Sequence, residues 1–411
     1  MSEPQRHEDT KLLPPTVARS SWCLGVLVVG LVGTLLAGVC MSAFGGEGTT
    51  LLARKAASLK PGGHLDVAEM KNPHSNNLDI QWMTVCAYYD AKNREIQYMG
   101  KFASGQDPTG RFHHYVYEET TNKWYKTGPG SLRGNGTTGH IWNTAFDFET
   151  GDYYVQPYGK EQLCRFDRAR WVAAGKPAGA PPQKGRGKRD PYPVPSYWSF
   201  KTATADILWT TMANLDGMAV HPNLFGKGDK GVVCGSGAYI WGYRIADNTW
   251  HHLSRDFRRD KSVRGGSTGG GGWYVPSADS AVVGSRVIWR VPAGKDGKHP
   301  ANAEHGAPTP ILLRGGGGNK GGFGKQIVDP ADPNRLIILE VGGESRVWAS
   351  ADLGRSWILQ DFGHPFNGMG TTMWTACSIG AHGVMMGLKS GRGFNARLWK
   401  LPQVKTQKAD G

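Results

Sequence analysis

The sequence has little of what a disulfide-built, metal-built or nucleotide-driven protein displays. Six cysteines in 411 residues form no C-x-x-C pair, and two of them, Cys23 and Cys40, fall within one apolar run. The other four, Cys86, Cys164, Cys234 and Cys377, each sit inside an apolar stretch, the pattern of buried thiols in strands. There is no phosphate-binding G-x-x-x-x-G-K-[ST] loop, no glycine-rich loop opening a helix and no H-E-x-x-H pair, so nucleotide hydrolysis and zincin chemistry are not expected. Charged residues are only 20% of the chain, too few for a long coiled coil or a charge-rich disordered protein. Acidic residues are in the minority, 34 against 48 Lys+Arg, for a net charge of +14. That excess is local. Residues 165–189 hold eight basic side chains against one Asp, and 255–264 hold five against two. Net charge alone therefore gives no reason to expect a nucleic-acid partner.

Glycine and tryptophan are abundant, with 59 and 15 residues. Many turns and many aromatics read as all-β, and the length leaves room for one large core or two to three ordinary ones. Residues 22–44 are 23 consecutive uncharged positions rich in Leu and Val. At about 1.5 Å per residue such a run spans a hydrocarbon core of about 30 Å as a helix. The expectation is an N-terminal transmembrane anchor or uncleaved signal, which makes the membrane a partner; the rival is a cleaved secretory signal. Arg6, Lys11 and Arg19 precede the run, and Arg54, Lys55 and Lys60 follow it. This tie leaves orientation undecided by charge, so an extracytoplasmic placement of the larger part rests on architecture alone.

One pattern recurs along the chain: a short apolar strand, a turn of Asp, Pro, Gly or Asn, then a second apolar strand. Taking Ala87, Ala145, Ala219, Tyr274, Ile327 and Ala376 as equivalent, the spacings are 58, 74, 55, 53 and 49 residues. That is the span of a four-stranded propeller blade. The fold expected is a six-bladed β-propeller following the N-terminal transmembrane helix. Its parts are a tail at 1–21, the anchor at 22–44, a linker at 45–72, the propeller at 73–403 and a tail at 404–411. The 74-residue interval is explained by an insert at 175–195, too rich in Pro, Gly and Lys/Arg to be a strand and placed between the third and fourth strands of its blade. The last repeat lacks a fourth strand, and residues 64–68 or 77–82 are the candidates to close the ring and protect its edge. The glycine runs at 269–272 and 315–318 read as loops between blades.

Further motifs sharpen the reading. Tyr117 to Trp124 and Tyr243 to Trp250 each place six residues between two aromatics, a spacing that resembles kelch repeats. Ser350, Asp352, Gly354 and Trp357 match the S-x-D-x-G-x-x-W Asp-box of sialidase-like propellers. The resemblance, at superfamily level and over about residues 75–402, implies that Asp352 and Gly354 make a turn between third and fourth strands and that Trp357 anchors the fourth. It is nearly silent on chemistry. The arginine, Tyr and Glu machinery of sialidases is not recognisable, since their early R-I-P motif is absent. A copper site of the galactose-oxidase type and a quinone-dependent dehydrogenase also lack matching residues. No metal site is expected and no cofactor is assigned.

In propellers, the loops entering the first strand and those joining the second to the third surround the channel mouth. His74, His140 and His364 fall in such loops, as do Asp79, Asn143, Asp216 and Lys325. Such a polar cluster suits a polar ligand or acid–base work. Trp142, Trp273 and Trp374 stand just before or at the first strands, where an indole face stacks on a sugar ring. The pairs His113-His114 and His251-His252 are discounted, because adjacent side chains in a strand point to opposite faces. Three functions remain open: a membrane-tethered or exported propeller binding a carbohydrate or other polar ligand, a glycoside hydrolase or lyase using His and Asp79 or Asp216, and a non-catalytic scaffold for a protein partner.

Overall fold

The computed structural model describes residues 51–67, 78–79, 87–102, 112–128, 141–157, 162–178, 195–202, 217–236, 239–254, 271–284, 287–295, 303–308, 310, 323–341, 345–366, 375–379, 384–389 and 395–406. The chain divides into Met1–Gly45 and Gly46–Gly411, and every described residue belongs to the second unit. The expected membrane run at 22–44 lies outside the described residues, as do residues 179–194 of the basic insert. Among the described residues no helix is long and apolar enough to cross a membrane.

The unit opens with helix α1 (Leu51–Ala57) and strand β1 (His64–Val67). A first sheet follows, made of β2 (Leu78–Asp79), β3 (Tyr88–Asp90), β4 (Glu95–Phe102), β5 (Phe112–Glu118) and β6 (Lys123–Lys126). The second contains β7 (Ile141–Asp147), β8 (Asp152–Pro157), β9 (Gln162–Phe166) and β10 (Trp198–Thr202), with helix α2 (Arg168–Ala173) before its last strand. The third has β11 (Gly217–His221), β12 (Gly231–Ser236), β13 (Tyr239–Arg244) and β14 (Thr249–His252). The fourth has β15 (Gly271–Val275), β16 (Ser280–Gly284), β17 (Val287–Pro292) and β18 (Glu304–Pro308). The fifth has β19 (Phe323–Asp329), β20 (Asp332–Val341), β21 (Arg346–Ser350) and β22 (Ile358–Gly363). The last comprises β23 (Thr375–Ile379), β24 (Val384–Lys389) and β25 (Asn395–Lys400), and β1 pairs with β25 as its outer strand. The chain is an all-β propeller.

The blade count departs from expectation. Five sheets are regular four-stranded blades rather than six, because the sheet at the first repeat has five strands. Both β2 and β3 pair with β4, β3 at Glu95–Gln97 and β2 at Lys101 and Phe102. Both lie on the edge that β5 leaves open, so the innermost position of this sheet is shared by two short pieces of chain. Both closing candidates are thus strands, in different sheets. The expected linker at 45–72 holds α1 and β1 and is part of the folded unit. Gly271 and Gly272, expected in a loop, begin β15.

Local side-chain chemistry repeats from sheet to sheet. At the end of an innermost strand, Asp90, Asp147, His221 and Asp329 each turn back to accept a backbone N–H, from Asn93 (3.1 Å), Glu149 (3.0 Å), Asn223 (3.0 Å) and Ala331 (2.9 Å). This local bond sets the first hairpin of these four sheets. Between third and fourth strands, Tyr117 pairs with Trp124 and Tyr243 with Trp250, at ring separations of 4.9 and 5.0 Å. Each tyrosine hydroxyl donates to an asparagine in the turn, Asn122 at 3.0 Å and Asn248 at 2.7 Å, and both asparagines are left-handed. The Ser350–Trp357 segment forms the corresponding turn of the fifth sheet. Gly354 N–H donates to Ser350 Oγ (2.8 Å), and Ser356 N–H and Oγ donate to the two Asp352 oxygens (2.9 and 2.6 Å). Gly354 at φ +79° is the left-handed residue that a glycine tolerates best. Trp357 is half-buried against the main core.

Innermost strands of successive sheets lie against one another. The closest approach is between β11 and β15, where a Cβ built on Gly272 would stand 1.9 Å from the Met218 carbonyl oxygen. On the axis Tyr88 of the first sheet stacks on Phe146 of the second (5.4 Å) and meets Trp273 of the fourth (5.5 Å). Two sheets separate the first from the fourth in either direction, so this contact reaches across the ring of sheets.

Candidate functional site

Strand register defines the two ends of the channel. Gly217 opposes Gly235, Gly271 opposes Gly284, and Phe323 opposes Val341, so innermost strands start where second strands finish. This is the mouth end, from which the loops singled out in the sequence depart. His74, His140, Asp216 and Trp374 lie outside the described residues. Asp79 falls in β2, Trp142 and Asn143 in β7, and Lys325 in β19, in each case on an innermost strand.

Two candidates have described side chains. His364 follows β22 and is buried. Its Nε2–H donates to the Glu340 carbonyl (2.6 Å), and its Nδ1 accepts from the Phe366 N–H (3.3 Å). Both ring nitrogens therefore hold local backbone, and burial pushes the imidazole pKa down. Trp273 is 6% exposed, with its indole against Tyr88. Its Nε1–H has no partner among the described residues, and a Cβ built on Gly271 would lie 3.3 Å from that nitrogen. The donor thus faces the mouth end of its own strand, above an aromatic floor.

The opposite end carries polar links between sheets. Arg168 at the start of α2 donates to both oxygens of Glu95 on β4 (2.7 and 2.8 Å), with Glu95 fully buried. Lys230 bridges to Asp147 (2.7 Å) and Glu149 (2.8 Å) of the second sheet. Asn223 of the third sheet donates to Asp279 of the fourth (3.0 Å), and Asn334 of the fifth accepts from the Ser277 N–H (3.0 Å). These carboxylates are committed to holding neighbouring sheets together. Replacing Glu95 by Gln leaves the Arg168 guanidinium short of its counter-charge at a mostly buried site. The expected loss is about 2 kcal/mol, below the full cost of a broken buried pair because Arg168 keeps some contact with water. Urea unfolding of the single variants and of Glu95→Gln with Arg168→Gln measures it, the pair recovering part of the loss if the link is direct.

Two histidines outside the candidate set are also buried. His114 on β5 bonds Thr127 Oγ1 through Nδ1 (2.8 Å) and is ringed by Tyr153, Phe166 and Trp198 at 4.7, 4.6 and 5.6 Å. Desolvation pushes its pKa down to about 3. His221 is pushed down to about 4 by burial, with the Asp279 carboxylate pulling part of the way back. The signal for His114 was its place inside an aromatic strand. Adjacency to His113 gave no sign that His114 is sealed in the core. Among the described residues no group of three or more His, Cys, Asp or Glu could hold a metal ion. Cys164, Cys234 and Cys377 are buried free thiols in β9, β12 and β23, and burial raises the pKa of the first two.

A polar cleft of about 250 Å³ lies at the end away from the mouth. It is lined by Arg165, Asp167 and Arg170, by residues 196–199 and by Asn248.

No family model matches the chain, and no curated protein matches it in sequence. Among solved structures it is similar to an auxiliary nutrient binding protein from Bacteroides thetaiotaomicron, at 10% identity and a TM-score of 0.45 over 79% of this chain and 70% of that one. It is also similar to a luciferin-regenerating enzyme, at 9% identity and 0.44 over 84% and 99%. A third similarity is to the β-propeller domain of Swd1 from Myceliophteria thermophila, at 7% identity and 0.41 over 82% and 100%.

Proposed function

We propose that the chain is a membrane-tethered or exported propeller of the kelch and Asp-box kind that binds a carbohydrate or other hydroxyl-rich ligand at the mouth end of its channel. The observation that carries this reading is Trp273: a buried indole N–H without a partner among the described residues, directed toward the mouth end of an innermost strand above the Tyr88 and Phe146 rings. An aromatic floor with one donor suits the face and hydroxyls of a sugar ring. In this reading the loops bearing His74, His140, Asp216 and Trp374, together with Asp79, Trp142, Asn143 and Lys325, supply the walls and the remaining hydrogen bonds. His364 shapes its loop through the backbone.

The test is a glycan array on the full chain, followed by calorimetry with the strongest binder. Trp273→Phe keeps the ring and removes the donor, so affinity is expected to fall about 5-fold, the worth of one net hydrogen bond, with the unfolding midpoint held. Absence of any glycan binding, or equal affinity in the variant, overturns the reading. Release of reducing sugar by the wild type replaces it with the hydrolase alternative.

A further inference from the structure

The basic stretch at 165–189 plays no part in the mouth reading, yet its first residues line the polar cleft at the other end. Arg165 is the penultimate residue of β9, Asp167 caps α2 by accepting the Arg170 N–H (3.0 Å), and residues 196–199 run into the start of β10. Asn248 reaches the cleft from the β13–β14 turn of the next sheet. Its donors outnumber its acceptors. Arg165 spends Nε and Nη2 on the Asp152 carboxylate (2.8 and 2.5 Å), which leaves Nη1 without a partner among the described residues. Arg170 is 70% exposed and touches Asp167 only through Nε at 3.4 Å, so neither of its terminal nitrogens has a partner among the described residues. Asn248 accepts the Tyr243 hydroxyl with its oxygen, and its amide nitrogen remains a donor. Ser196 and Ser199 add hydroxyls. The one carboxylate lining the cleft, Asp167, caps the helix with one oxygen and pairs through the other with Arg170 Nε (3.4 Å) and Arg165 Nη2 (3.9 Å).

We propose that this cleft is a second binding site, taking a tetrahedral sulfate or phosphate oxyanion, free or as a monoester, with Arg170 and Arg165 on the anion and Asn248 and the serines on its remaining oxygens. Guanidinium N–H groups match oxyanion geometry, and a volume of about 250 Å³ accommodates the anion with part of a sugar ring. The site is independent of the mouth and stands if the mouth reading fails.

Calorimetry on the full chain with glucose 6-sulfate, glucose 6-phosphate, inorganic sulfate, inorganic phosphate and glucose is the test. Both esters are expected to bind and glucose not to. Tighter binding of the esters than of the free ions identifies a sugar-linked source, and equal binding identifies the free ion, both within the proposal. Arg170→Gln is expected to cut affinity by about 10-fold with unchanged unfolding, and Asn248→Ala by about 5-fold together with a lower unfolding midpoint from the lost Tyr243 bond and the left-handed turn, since a hydrogen bond to a charged group is the stronger of the two. Arg355→Gln, at an exposed arginine of the fifth sheet, should leave binding intact. No binding of any anion, unchanged binding in Arg170→Gln, or an equal loss in Arg355→Gln overturns the site. So does a loss confined to a variant with Lys184, Arg186, Lys188 and Arg189 all changed to Gln, which would assign the anion to diffuse charge on the insert.

Discussion

Lowering the pH from 6.5 to 4.5 is expected to remove about 4 kcal/mol of stability through His114 and His221 alone. The sign follows from where protons bind. Both imidazoles are held neutral in the folded protein, at pKa values of about 3 and about 4, whereas an unfolded histidine titrates near 6.5. Below about pH 6.5 the unfolded chain gains two protons that the fold refuses, so stability is fully present above 6.5 and falls as pH drops. The loss levels off only as each folded pKa is reached. Each site contributes about 1.4 kcal/mol per pH unit, so the joint slope is about 2.7. Asp152 and Asp329, whose carboxyls desolvation pushes up, act in the opposite sense, but only in the carboxylate range at lower pH. Urea titrations at pH 7.5, 6.5, 5.5 and 4.5 measure the slope. His114→Leu lowers stability at pH 7.5 through the lost Thr127 bond, yet it should remove about 1.4 kcal/mol per pH unit from the dependence on pH. A slope unchanged by that substitution would show that His114 is protonated in the fold.

The second large effect is steric. Gly272→Ala is expected to cost about 4 kcal/mol, because its Cβ would meet the Met218 carbonyl at 1.9 Å and backbone has no rotamer with which to retreat. Strands β11 and β15 must then separate, which opens the innermost contact between the third and fourth sheets. Gly271→Ala is the matched control one residue away. There the new Cβ would stand 3.0 Å from the Gln326 Cβ, an approach that a strand shift of a few tenths of an ångström relieves, and the expected cost is below about 1.5 kcal/mol. Thermal unfolding of both variants decides the matter. Equal losses would mean that the approach of β11 to β15 is looser than the fold shows.

The sequence read most clearly where the chemistry was local. The strand-turn-strand repeats, the Tyr–Trp pairs and the Ser350–Trp357 turn rest on side chains within a few residues of one another, so their spacing survives in the linear text. The candidate site was less legible. Position at the start of an innermost strand was foreseeable for Trp273, but its burial against Tyr88 joins residues 185 positions apart. His364 carried the right residue type in the right loop, and only the neighbouring Glu340 carbonyl shows that its nitrogens are taken.

By itself, then, the amino-acid order determined an all-β chain of strand-turn-strand repeats, because apolar periodicity and turn residues act over a few positions. Only the tertiary structure decided how the first repeat builds its sheet, with β2 and β3 sharing one edge of β4, since pairing partners are chosen by long-range register. It alone decided which histidines are sealed from water and which strand starts demand glycine. These depend on how closely separate sheets approach, a distance set by the packing of the whole ring.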